Sequence, residues 1–128
     1  MNESHHETLT QLSKDLKLHK VNKKTAFEVL KHLIEKSNTE HIRRDSIHLL
    51  MELHLKTPSV FEILEKCLLS DESPNVRAIC AKWLLFDYPK KCPESIRWAI
   101  KHETSPYVLK TIKDLSFGMD GHKLELLR

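Results

Sequence analysis

A twelve-residue pattern occurs three times along this chain. Residues 71–82 open Asp71-Glu72-Ser73-Pro74-Asn75-Val76-Arg77, and residues 103–114 open Glu103-Thr104-Ser105-Pro106-Tyr107-Val108-Leu109. Residues 37–48 open Ser37-Asn38-Thr39-Glu40-His41-Ile42-Arg43. The offsets are 34 residues from Ile42 to Val76 and 32 from Val76 to Val108. A period of that length is one supersecondary unit. Such a unit cannot bury its apolar face alone and does so by stacking on its neighbours.

The units are helical. Thr39, Ser73 and Ser105 stand where second helices begin and are residue types that cap a first turn. Pro74 and Pro106 follow at the first helical position, where a missing N–H costs nothing. First helices also repeat: Phe27/Phe61, Glu28/Glu62 and Leu30/Leu64 match at an offset of 34. Thr25 with Glu28 and Ser59 with Glu62 have capping-box spacing. The expected layout is an N-terminal cap helix over 5–19, helix pairs over 25–54, 59–87 and 94–117, and a tail over 118–128. Within the cap helix, Ser4 and Glu7 have capping-box spacing, and Leu9, Leu12 and Leu16 form one apolar stripe. Gly118 is placed to end the last helix. All 128 residues are expected to form one domain.

Composition agrees with helices and excludes several classes. The chain has two glycines, fewer than a β-rich chain needs for its turns. Hydrophobic residues make up 40% and charged residues 30%, enough apolar matter for a core. The net charge of +3 is a mild bias, not the footprint of a dedicated nucleic-acid binder. Three cysteines without metal-finger or CxxC spacing fit a reducing compartment. Cys67 and Cys80 fall at apolar helix positions and are expected in the core. The polar N-terminus has no signal-peptide pattern and no apolar run is long enough to span a bilayer, so a cytoplasmic location is expected.

The segment Asp71-x-x-Pro74-x-Val76-Arg77, followed by Ala78, Cys80, Ala81 and Leu84, resembles a HEAT repeat. The resemblance covers about residues 25–117. It implies an all-α, right-handed α-solenoid of about three HEAT-like helix pairs with N- and C-terminal capping segments. In this frame Arg77 can reach an acidic loop residue of the neighbouring repeat. Ile42-Arg43 keeps the dyad without the proline, and Val108-Leu109 keeps the proline without the arginine.

The second helices of such an array line its concave face. Two rows of outward positions follow from the alignment: Arg44, Ala78 and Lys110, then His48, Lys82 and Asp114. The binding residues expected from these rows are Arg44, His48, Lys82, Lys110 and Asp114. A mixed polar ridge suits a protein or peptide partner, so the expected function is a non-catalytic protein-binding adaptor or scaffold. Nucleic-acid binding is the alternative, and a metal-dependent or lyase-type HEAT enzyme is a remote one.

The chemistry behind those alternatives is thin. His41, Asp45, His48 and Glu52 form one helical stripe of metal-ligand types, but its ends lie about 16 Å apart, too far for one ion. His41, Asp45 and His48 alone would need a ligand from another helix. His102-Glu103 and His6-Glu7 do not sit where the di-iron deoxyhypusine hydroxylases, a HEAT enzyme family, carry such pairs. Trp83 and Trp98 align with core positions and are expected to pack rather than stack on bases. Lys14, Lys17, Lys20, Lys23 and Lys24 lack strong aromatic interleaving and are assigned to solubility, with phosphate contact as the minority reading. No nucleophile elbow or phosphate-binding glycine loop occurs, and no cofactor is expected.

Overall fold

A computed structural model describes residues 2–117, with side chains over 4–116. The described residues form seven helices and no strand: α1 Asn2–Lys17, α2 Lys23–Lys36, α3 Glu40–Glu52, α4 Pro58–Ser70, α5 Pro74–Asp87, α6 Pro93–His102 and α7 Pro106–Phe117. The connections alternate in length. Residues 18–22, 53–57 and 88–92 are five-residue links, and 37–39, 71–73 and 103–105 are three-residue links. Gly118 and the 118–128 tail lie outside the described residues. Among the described residues no helix is long and apolar enough to cross a membrane.

The chain divides into two compact units, one ending at Leu55 and one beginning at Lys56. In the first, α2 packs on α3, and α1 packs against both. Its core is Leu12, Leu30, Leu33, Ile42, Ile47 and Leu50, all buried. In the second unit α4 packs on α5, α5 on α7 and α4 on α6. First helices therefore pack together, and so do second helices. Val76, Cys80, Ala81 and Leu84 are buried on α5, Leu64 on α4, Val108 and Ile112 on α7. Small Cys80 and Ala81 beside Val76 let α5 approach both of its neighbours.

The three-residue links share one construction. The first side chain accepts the backbone N–H two residues on: Ser37 from Thr39 at 3.2 Å, Asp71 from Ser73 at 2.9 Å, Glu103 from Ser105 at 3.0 Å. The third residue then caps the helix. Ser73 accepts from Val76 N–H at 3.3 Å and Ser105 from Val108 N–H at 3.4 Å, while Thr39 makes no side-chain cap bond. Arg43 and Arg77 reach back six residues to the carbonyls of Ser37 and Asp71, at 3.1 and 2.8 Å.

First helices start earlier than the capping-box spacing implies. Asn22 caps α2 by accepting from Thr25 N–H, and Thr57 caps α4 by accepting from Val60 N–H. Thr25 and Ser59 therefore lie inside the first turn. Pro58 explains the second case: it occupies the first helical turn, and the cap must precede it. Ser4 likewise lies inside α1, which begins at Asn2.

Three alignment readings are corrected. Trp98 is 44% exposed and not in the core. At the offset of 32, Ser95, Ile96 and Ala99 correspond to Ile63, Leu64 and Cys67, all buried, and Trp98 corresponds to exposed Lys66. The shortened period rotates the tryptophan outward. Ala78 is buried and contributes nothing to an outward row. Phe27 and Phe61 are half-buried at the rim of the core.

Candidate protein-binding surfaces

Of the five residues expected at the site, none belongs to the core. Lys110 and Asp114 on α7 form an exposed i,i+4 ion pair at 2.6 Å, 73% and 58% exposed. Lys82 on α5 is half-buried, its ammonium 5.0 Å from the centre of the Trp83 ring. Arg44 on α3 makes a long 3.4 Å contact with Asp45. His48, also on α3, is half-buried in a groove between α3 and α1.

The larger surface feature is aromatic, and the repeat alignment did not anticipate it. Phe86 on α5 is 48% exposed and Tyr107 on α7 is 55% exposed. Phe86 meets Trp83 edge-to-face, ring centres 6.5 Å apart. Trp83 is half-buried, and among the described residues its covered indole N–H finds no acceptor. Lys82, Trp83 and Phe86 thus form a cation-aromatic-aromatic ridge along α5. The available signal was spacing: 82, 83 and 86 share one helix face, opposite the small residues Ala81 and Cys80.

A second aromatic pair lies on α6. Trp98 and His102 stack with ring centres 4.0 Å apart, and the His102 Nδ1 is 2.9 Å from the Trp98 carbonyl oxygen. They border a cavity of about 220 Å³ that also touches Arg77 and Glu103. Those two groups are committed to each other. Arg77 donates from Nε and Nη2 to both Glu103 carboxylate oxygens, at 2.9 and 2.8 Å. This is the reach from the α5 arginine to the next link's acidic residue that the repeat pattern implied. Burial raises the Glu103 pKa, but the Arg77 hydrogen bonds, its charge and the Ser105 N–H outweigh burial and hold it below 4.5.

The remaining polar groups serve the fold. The Tyr88 hydroxyl donates to the Thr57 carbonyl at 2.9 Å, and burial pushes its pKa up to about 12, helped by Asp87. Burial, then contact with Cys67, raises the Cys80 thiol well above 9.0, and Cys67, Cys80 and Cys92 are all buried and free. The Ser95 hydroxyl donates to Glu65, tying α6 to α4. Among the described residues, no three His, Cys, Asp or Glu side chains are grouped to hold a metal ion.

No family model, no curated protein and no solved structure matches the chain.

Proposed function

We propose that the protein is a non-catalytic protein-binding adaptor or scaffold of HEAT-like solenoid type, with its partner lying along the second helices. The observation that carries this reading is the α5 ridge, where Phe86 stands 48% exposed against Trp83 under the Lys82 ammonium. Exposed large aromatics on a helix face are the side chains that dominate protein interfaces once buried by a partner. The fitting occupant is a polypeptide segment with an apolar anchor for Phe86 and Trp83 and a carboxylate for Lys82. The Lys110–Asp114 pair on α7, exposed and worth at most about 1 kcal/mol, is suited to a polar rim.

The test compares capture of partners from native cell extract by wild type, Phe86→Ser, and the double variant Lys82→Glu with Lys110→Glu. Each is first checked for an unchanged melting curve. A partner recovered by wild type and lost by both variants supports the reading. Equal recovery by all three sinks it. Binding that disappears with nuclease, or falls steeply with salt, replaces it with nucleic-acid recognition.

A further inference from the structure

The links 71–73 and 103–105 leave the helices before them short of hydrogen bonds in the same way. The final carbonyls of a helix have no partner within it and depend on donors from beyond its end. Asp71 N–H returns to the Cys67 carbonyl at 2.9 Å, and Glu103 N–H to the Ala99 carbonyl at 2.7 Å. Further on the donors run out. Ser73 N–H is taken by the Asp71 carboxylate and Ser105 N–H by the Glu103 carboxylate. Pro74 and Pro106 come next and have no N–H to give. Among the described residues, the carbonyls of Leu69 and Ser70 on α4, and of Lys101 and His102 on α6, accept no hydrogen bond.

Both helix ends border the cavity of about 220 Å³ beside Trp98, with Leu69 and Ser70 lining it from α4 and His102 from α6. Last-turn carbonyls point along the axis past the helix end and carry its partial negative charge. The side chains add acceptors. The His102 Nδ1 lies 2.9 Å from the Trp98 carbonyl, which can only accept, so that nitrogen holds a proton and Nε2 of the neutral ring is an acceptor. The Ser70 hydroxyl donates away, to the Lys66 carbonyl at 2.7 Å. Arg77 directs Nε and Nη2 to Glu103 and Nη1 to the Asp71 carbonyl, and the lining holds two carboxylates, Asp71 and Glu103, to that one guanidinium. Trp98 is 44% exposed, and the face of an indole ring attracts cations.

We infer that this cavity takes an arginine side chain of a partner protein. A guanidinium is planar, carries five donors and no acceptor, and lies flat on aromatic rings. Its N–H groups meet the open carbonyls of Leu69, Ser70 and His102 while its face rests on Trp98. The negative ends of α4 and α6 favour its charge. A lysine ammonium is a compact point charge without a face to stack, so it fits less well. A carboxylate finds acceptors where it needs donors. The site lies on the first helices α4 and α6, so it goes beyond the second-helix reading and does not depend on Phe86.

The test titrates isotope-labelled protein with short peptides that differ only at a central arginine, lysine or citrulline, the last being arginine's uncharged isostere. NMR reads the Trp98 indole, the His102 ring and the amides of 68–71 and 102–104. The arginine peptide is expected to shift these signals with a Kd below about 10 mM. The lysine peptide binds about fivefold more weakly, and the citrulline peptide does not bind. Trp98→Ala loses the arginine response, Trp98→Phe keeps it in part by supplying a ring face, and Phe86→Ser leaves it whole. The inference is overturned by the absence of shifts at these residues, by citrulline or lysine matching arginine, or by a response that survives Trp98→Ala. Shifts centred on Trp83 and Phe86, or tighter binding of a single-stranded oligonucleotide at Trp98, overturn it as well.

Discussion

Arg77 grips Glu103 with two parallel hydrogen bonds, and the Glu103 side chain is 4% exposed. Removing the guanidinium strands a covered carboxylate, so Arg77→Ala is expected to cost about 3 kcal/mol in urea unfolding. The folded pKa of Glu103 lies below its ordinary 4.5, so the pair's contribution is full above that value and lost as pH falls through the lowered one. The wild-type advantage over Arg77→Ala should therefore be full near neutral pH and shrink as the pH falls through the lowered Glu103 pKa. His19 presents the opposite case, a residue held where its side chain is a burden. It sits at φ 56° just after α1, its N–H on the Leu16 carbonyl, with Lys20 N–H on Asp15. That is a Schellman end, whose left-handed position glycine occupies without cost. His19→Gly is expected to stabilise the protein by about 0.5–1 kcal/mol, read from the thermal melt. His54 repeats the conformation at φ 54° after α3, 35 residues on. The Leu-His dipeptides at 18–19 and 53–54 announce this in the sequence, but only to a reader who expects histidine in glycine's place.

At the scale of the element, caps decide where helices begin. Asn22 and Thr57 hold the first turns of α2 and α4, while Thr25 and Ser59 lie inside them. Asn22→Ala and Thr57→Ala should each cost about 1 kcal/mol, and Thr25→Ala and Ser59→Ala almost nothing, by chemical denaturation. Equal costs for the two sets would restore the later starts. The second helices were more legible, because Ser73-Pro74 and Ser105-Pro106 fix the cap and the first helical residue together. α6 shows how a correct element can carry a misplaced face. Its start was expected at 94, one residue after the observed Pro93, yet Trp98 turned outward because the local offset is 32 rather than 34 residues. Two residues rotate a helical position by about 200°, enough to exchange core for surface.

At the scale of the whole molecule, each unit is held by a first helix packed on its second helix, α2 on α3 and α4 on α5, and in the second unit like helices pack as well, α4 on α6 and α5 on α7. Val76 is fully buried on α5, the helix that packs on both α4 and α7. Val76→Asp is expected to cost several kcal/mol, because it strands a charge in that core. A melt within a degree or two of wild type would refute the placement of α5. The surface follows a different logic, in which Phe86→Ser should leave the melt unchanged while it tests binding. The sequence by itself determined the helical class, the alternation of helices and links, the second-helix starts, and the reach of Arg77 to an acidic loop residue of a neighbouring repeat, which the structure identifies as Glu103. These follow from local rules, namely apolar period, cap residues, proline and the repeated pattern of the links. Only the tertiary structure decided that Trp98 and Phe86 face outward, that Ala78 is covered, and that His6 meets His41 across the groove between α1 and α3. Those outcomes depend on which neighbour each helix face meets, and a shift of one or two residues in the period is enough to change the neighbour.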